Sequence, residues 1–358
     1  MSTDVTALLT SAVRSGASDI HLSSGAPPMI RLDGVMKRLD QTPLSRDEVH
    51  TLVYDIMDEE QRKMFEESLE LDLSCDLGEV GRFRVNVFMQ QRGEGAVLRA
   101  IPTVIASFEE LGLPPILSQL CTRRKGLVLV TGPSGCGKST TLAAMVNHLN
   151  ETVAGHIVTI EDPIEFTHQS RKCLVSQREL GVHTHSFAKA LRAVLREDPD
   201  IILVGEMRDL ESIQLALTAA ETGHLVLSTL HAPGAAQTVD RIIDVFPAAQ
   251  QAQIRTQFAD SIEAIITQTL CQKKGGGRVA ALEILVGTPA VRTLIREGKG
   301  HQILSALQVG QKDGMQTMDR ALVDLATRGL ITQQEAQAKS PTPNLFGQVG
   351  RALLRAPG

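Results

Sequence analysis

The sequence contains no stretch approaching the ~20 consecutive apolar residues that a membrane-spanning helix needs. Its opening, MSTDVTALL, also lacks the basic start and apolar core of a secretory leader, so the chain is expected to be cytoplasmic. The cysteines, at positions 75, 121, 136, 173 and 271, are scattered without a CxxC pair. That spacing argues against a zinc module or a disulfide framework and suits a reducing compartment. Positive charge is not in surplus: the formal net charge is −5 and the pI is near 6.1, so nucleic acid is not expected as the main partner. No internal repeat is found.

What is present is an ordinary globular composition, 42% apolar and 22% charged over 358 residues, enough for two or three domains with a substantial core. The most informative stretch is LVLVTGPSGCGKSTTL, residues 127–142. Its apolar start reads as a buried parallel strand, and Gly132, four residues, Gly137, Lys138 and Ser139 complete a phosphate-loop pattern. Glycines at 132, 135 and 137 let the backbone wrap a polyphosphate so that its N–H groups face negative oxygens. Lys138 is then placed for the β and γ phosphates, and the Ser139 hydroxyl for the magnesium that accompanies the nucleotide. The alternative is a glycine-rich turn between strand and helix with a chance lysine.

Along the chain, Val5, Leu8, Leu9, Ala12 and Val13 predict a helix after an Asp4 cap, ended by Gly16. Residues 18–39 read as short strands with an Asp33-Gly34 hairpin turn. Ser45 with Glu48 makes a capping box ahead of the helical stripe Val49, Leu52, Val53, Ile56 and Met57. RFRVNVF alternates, placing Phe83, Val85 and Val87 on one face and Arg82, Arg84 and Asn86 on the other. Proline-rich residues 102–115 read as a linker. Beyond it strands alternate with helices, the mark of a parallel sheet covered on both faces, with strands at 127–131, 156–160, 201–204 and 225–229. Val239, Ile242, Ile243 and Phe246 predict a helix. Ile254, Phe258, Ile262, Ile265 and Ile266 predict a longer one, before a Lys273-Lys274-Gly-Gly-Gly loop and the strand VAALEIL.

Three further places carry candidate chemistry. TIEDPIEF leaves carboxylates at 161, 162 and 165 just past a sheet strand, where one could orient a water molecule or merely cap a turn. IILVGE ends with Gly205 before Glu206, a carboxylate for magnesium or for polarising the nucleophile. His231 follows the next strand, near the loop if the strand order allows. His183 and His185 are read as solvated rather than metal ligands. Arg82, Arg84, Arg92 and Arg99 could be arginine fingers or a solubilising strand face.

Jointly, these motifs resemble the secretion and pilus ATPases, and within them the retraction motors of type IV pili, over residues 5–340. The strings that carry the likeness include GASDIHLSSGAPPMIRLDG, RFRVNVFMQQRG, GPSGCGKSTTLAAM, TIEDPIEF, GEMRDLESIQLALTAAETGHLV, STLHAPGAAQTVDRIIDVFP and GMQTMD. The resemblance implies an α/β fold with a PAS-like N-terminal α+β domain (1–101), a linker (102–115) and a RecA-like P-loop ATPase domain (116–340). A helical C-terminal subdomain would occupy residues 287–340 and a tail 341–358. It implies ATP and Mg2+ as cofactors, with Glu165 as catalytic acid, Glu206 as the Walker B glutamate, and His231, Arg84 and Arg99 completing the catalytic set. The nucleotide would be bound by Gly132, Pro133, Ser134, Gly135, Cys136, Gly137, Lys138, Ser139 and Thr140, and the metal held by Ser139 and Glu206. The partners implied are other copies in a homohexamer, an inner-membrane pilus platform protein (PilC-like) and a PilU-like paralogue, with the ring peripheral at the inner membrane.

Residues 290–297, AVRTLIRE, resemble the AIRNLIRE signature of retraction motors and differ at Val291 and Thr293. The competing expectations are an accessory retraction ATPase, a type II secretion or DNA-transfer ATPase, and a nucleotide-binding regulator without turnover. The tail carries Phe346, Val349, Leu353, Leu354, Arg351 and Arg355, which read either as a short basic amphipathic helix or as a frayed end.

Overall fold

The alternating segment from residue 82 forms the strand it predicts, with Phe83, Val85 and Val87 wholly buried. In the computed structural model, which describes residues 5–32, 35–101 and 104–343, this strand belongs to a first unit that runs to Val104 and includes Glu165–Thr167. Its elements are α1 (Val5–Arg14), β1 (Asp19–Ser23), β2 (Met29–Leu32), β3 (Val35–Arg38), α2 (Arg46–Tyr54), α3 (Glu59–Ser68), β4 (Glu70–Asp76), β5 (Arg82–Gln90) and β6 (Gly93–Ala100). The strands pair antiparallel in the order β3-β2-β1-β6-β5-β4. Register sets Ile30, Ile20, Leu98, Val85 and Leu73 side by side in one buried row. They share a core with Leu9 of α1, Leu52 of α2 and Phe65 of α3. One residue along, and therefore on the opposite face, the row reads Arg31, Asp19, Arg99, Arg84 and Ser74. The Ser45–Glu48 capping box is formed, and α2 stops at Tyr54, with Ile56 and Met57 buried just beyond it. Asp4, Asp33-Gly34 and Pro102 lie outside the described residues.

The second unit takes Ile105–Ile164 and the chain from His168 onward. It contains α4 (Phe108–Leu111), α5 (Ile116–Leu120), β7 (Gly126–Thr131), α6 (Lys138–Thr152), β8 (His156–Glu161), β9 (Leu174–Glu179), α7 (Phe187–Val194), β10 (Ile201–Val204), α8 (Leu210–Glu221) and β11 (Leu225–Leu230). These are followed by α9 (Ala235–Asp244), α10 (Ala248–Ser261), β12 (Ile262–Gln272), β13 (Arg278–Val286), α11 (Pro289–Arg296), α12 (Ile303–Val309), α13 (Met318–Thr327) and α14 (Gln333–Lys339). One seven-stranded sheet, ordered β13-β12-β7-β11-β10-β8-β9, is parallel except for the antiparallel β12–β13 hairpin. Its interior strands β7, β10 and β11 are buried along their full length, which is why they read as unbroken apolar runs.

Two expectations need correction here. The apolar spacing from Ile254 to Ile266 predicts one helix, but the helix ends at Ser261 and Ile262 opens β12. A strand buried on both faces shows no alternation, and β-branched isoleucines paired between β7 and β13 prefer the extended state. The stretch expected to be only a linker also carries structure: Ser107 and Glu110 form a reciprocal cap for α4, and Phe108 is buried in the main core.

The C-terminal helices use two cores. Val291, Ile295, Ile303 and Leu307 join the main one, while Leu322, Leu325, Ile331 and Ala336 form a smaller one with Cys271 and Ala281 of the β12–β13 hairpin. No helix among the described residues is long and apolar enough to cross a membrane. Of the expected tail, residues 344–358 lie outside the described residues.

Candidate functional site

The phosphate loop leaves β7 at Thr131 and turns into α6 at Lys138, with Gly137 at the helix N-cap. Gly132, Gly135 and Gly137 have φ of +138°, +74° and +91°, values that L side chains rarely adopt. Packing adds a second requirement at two of them. A Cβ on Gly132 would lie 2.4 Å from the carbonyl oxygen of Gln268, and one on Gly137 would lie 2.8 Å from the Gln268 side-chain nitrogen. Gln268, on β12 and only 2% exposed, supports the loop from behind. Its Nε2 donates to the Cys136 carbonyl (2.6 Å) and its Oε1 accepts from the Thr141 hydroxyl (2.7 Å). The Lys138 ammonium donates to the loop's own carbonyls at Gly132 (3.0 Å) and Pro133 (3.1 Å). These carbonyls hold it inside the loop. Cys136 is buried, and that burial pushes its thiol up from the ordinary value although the Lys138 charge acts in the other direction.

Parallel pairing aligns the carboxyl ends of the neighbouring strands. Thr131 pairs with Leu230, and Val204 pairs with both Ser228 and Ile160, so the residues after β7, β11, β10 and β8 emerge along one edge. That edge is where open parallel sheets place ligands. Glu206, just past β10, accepts from Arg208 Nε at 2.7 Å and lies 3.3 Å from Nε2 of His231. Arg208 reaches on to Asp162 at 3.3 Å, and Arg241 donates to the His231 carbonyl at 2.8 Å. The structure therefore brings Glu206 and His231 together and adds Arg208 as a bridge between two acidic turns. Gly205 has a packing cause: its Cβ would lie 3.3 Å from the Glu161 Cα, where β10 leaves the sheet beside β8.

The three acidic residues at the end of β8 and in the turn that follows differ in their surroundings. Glu161 is occupied, accepting from Thr159 (2.6 Å) and Gln177 (3.1 Å). Asp162 faces Arg208, and Glu165 is exposed and grouped with the first unit. In that first unit, Arg84 and Arg99 stand directly opposite each other on β5 and β6, which accounts for their spacing of fifteen residues in the sequence. Arg99 pairs with Asp19 at 2.8 Å; Arg84 makes no hydrogen bond or ion pair among the described residues. His183 and His185 are both exposed, and His183 Nδ1 accepts from the Glu179 amide at 3.0 Å.

The donors present fit magnesium and a polyphosphate. Ser139 and Glu206 offer hard oxygen atoms, and magnesium takes few protein ligands beside water and phosphate. Gly135 has open space where a side chain would be, which leaves room for a phosphate against the loop backbone.

Comparison with known proteins places this geometry in a family. The sequence pattern of the family described as "Type II/IV secretion system protein" matches residues 1–338. The chain belongs to the type II/IV secretion system family. Among its curated relatives is the type IV pilus retraction ATPase PilT of Pseudomonas aeruginosa, 56% identical over 96% of this chain and 100% of that protein. The type IV pilus ATPase PilU of the same organism is 42% identical over 94% of this chain and 88% of that protein. A crystal structure of the pilus retraction motor PilT with bound ADP superposes with a TM-score of 0.91, at 48% identity, over 97% of this chain and 99% of that one. The α/β architecture with a mainly parallel sheet is thus the fold of this secretion system family.

Sequence reasoning missed three residues that the structure makes prominent. Gln268 is a lone amide within an apolar strand, Arg208 lies two residues past Glu206, and Asp19 sits at a strand start. Only Gln268 had a usable signal, since a polar side chain in a buried run needs a partner.

Proposed function

We propose that this chain is the ATPase motor of type IV pilus retraction, working as a homohexameric ring in the cytoplasm. The observation that carries the reading is the phosphate loop aligned with Glu206 and His231 along one sheet edge, in a chain that resembles PilT over that protein's whole length.

Binding begins with the loop amides and the N-terminus of α6, which donate to phosphate oxygens. Lys138 exchanges the carbonyls of Gly132 and Pro133 for β and γ phosphate oxygens. Ser139 and Glu206 would hold magnesium, which would offset the negative charge of the phosphates. Glu165 orients the attacking water and takes its proton as the water oxygen bonds to the γ phosphorus and the bond to the ADP oxygen breaks. His231 shares the Glu206 carboxylate and so responds to its position. Arg84 and Arg99 offset the charge of the phosphates held on a neighbouring copy. Hydrolysis closes and opens the boundaries between copies, turning an inner-membrane platform protein (PilC-like) that releases pilin from the fibre. A PilU-like paralogue is a further partner, and nucleic acid is not.

The test is a strain deleted for this gene and complemented with wild type or Glu165→Ala. Surplus surface pili with retraction lost, restored by wild type alone, is the expected result. Absent pili would identify an assembly or secretion ATPase instead. In purified protein, Glu165→Ala lowers hydrolysis by about 100-fold or more while nucleotide binding persists. Unchanged hydrolysis would remove Glu165 from the mechanism.

A further inference from the structure

The polar face of the first unit's sheet carries a row of side chains that stability does not account for. Across β2, β1, β6 and β5 the register reads Arg31, Asp19, Arg99, Arg84, three arginines against a single aspartate. Arg99 and Arg84 face each other directly, and like charges opposed across a ladder repel. An arrangement that costs stability calls for another use.

Asp19 is the one anion in that row, and it is only 4% exposed. Its Oδ1 accepts from Arg99 Nε at 2.8 Å, its Oδ2 accepts from the Ser18 hydroxyl at 2.8 Å, and Arg31 Nε lies 3.8 Å away. Burial alone would push this carboxyl up. Hydrogen bonds from Ser18 and Arg99, together with the Arg99 charge, outweigh burial and hold it below its ordinary value of 3.8.

The arginine end is quite different. The Arg99 side chain is 67% exposed although its Nε is tied to a buried carboxylate. A guanidinium presents five donors in a planar fork, so a bond at Nε fixes the plane and leaves the terminal Nη groups available to a second anion. Arg84 beside it is exposed and unpaired among the described residues. We propose that Asp19 is a positioning residue for hydrolysis: it anchors Arg99 by Nε so that the terminal nitrogens of Arg99, next to those of Arg84, are aimed at a phosphate group of the nucleotide. The inference rests on the ATPase reading and on the part given there to Arg99. A preset guanidinium loses less freedom when the phosphate arrives, which is where the rate advantage arises.

The experiment is a double-mutant cycle on the full-length protein, reading steady-state ATP hydrolysis and melting temperature for wild type, Asp19→Asn, Arg99→Ala and the double variant. Asp19→Asn is expected to lower kcat by about tenfold, part of what an arginine finger contributes. In the Arg99→Ala background the same change is expected to lower kcat no further, because the group it positions is gone. Should the Asn variant fold poorly, Asp19→Glu keeps the charge while displacing the guanidinium, and the same loss of effect in the Arg99→Ala background is expected. An equal fall in kcat in both backgrounds would overturn the inference and make Asp19 a purely structural carboxylate. Arg99→Ala with wild-type kcat would overturn it together with the role of Arg99. A wild type that hydrolyses no ATP would instead sink the ATPase reading itself.

Discussion

Gln268 shows how much of the phosphate loop depends on a residue outside its motif. The amide bridges the Cys136 carbonyl and the Thr141 hydroxyl, and its backbone oxygen crowds the position of a Gly132 Cβ. Replacing it with alanine strands a buried carbonyl and a buried hydroxyl, each costing about 1–3 kcal/mol when unpaired. Gln268→Ala is therefore expected to lower the melting temperature and to weaken nucleotide binding, with Lys138, Glu206 and His231 unaltered in the sequence. Thermal melts and titration with a non-hydrolysable ATP analogue check this; unchanged affinity would show that the loop holds its shape without the support. The glycines, Lys138 and Ser139 were legible because phosphate binding demands those residue types at that spacing. The partner across the sheet was not, because 132 residues separate Gln268 from Cys136.

At the scale of elements, α11 is fastened in a way its hydrophobic pattern does not reveal. Val291 and Ile295 are buried, and Arg292 makes the junction polar and specific. Its guanidinium donates to the Gly287 carbonyl (2.7 Å), the Ala259 carbonyl (2.9 Å) and the Glu263 carboxylate (2.7 Å), joining α11 to the end of α10 and the start of β12. Arg296 adds a pair with Asp260 at 2.6 Å. Thr293, where the retraction signature has asparagine, is exposed, and its hydroxyl donates to the Pro289 carbonyl of its own helix. Arg292→Met is thus expected to destabilise the α10–α11 junction by about 2–3 kcal/mol, the worth of hydrogen bonds to a charged group. Hydrogen exchange should show amides of α11 opening faster while those of β7 stay protected; uniform exchange would argue against a local clip. The capping box at Ser45 illustrates the opposite case, where three-residue spacing suffices. The α10–β12 boundary was misread because doubly buried strands and buried helices look alike one residue at a time.

At the scale of the whole molecule, the two units have separate cores, one centred on Ile20, Val85 and Leu98 and the other on β7, β10 and β11. Separate cores predict separate unfolding. Calorimetry should give a measured enthalpy above the van't Hoff value, and nucleotide at about 100 times its Kd should stabilise the unit that carries the loop by about 2.7 kcal/mol. A single two-state transition would mean that the units are coupled throughout. The sequence by itself determined the P-loop chemistry, the alternation of β5 and the strand–helix rhythm of the second unit, because each is written in residues a few positions apart. Tertiary structure alone decided that Arg208 joins Glu206 to Asp162, that Gln268 underpins the loop, and that Asp19, Arg99 and Arg84 share one row. Strand order and register bring together residues that lie far apart along the chain, and no local periodicity records which strands will be neighbours.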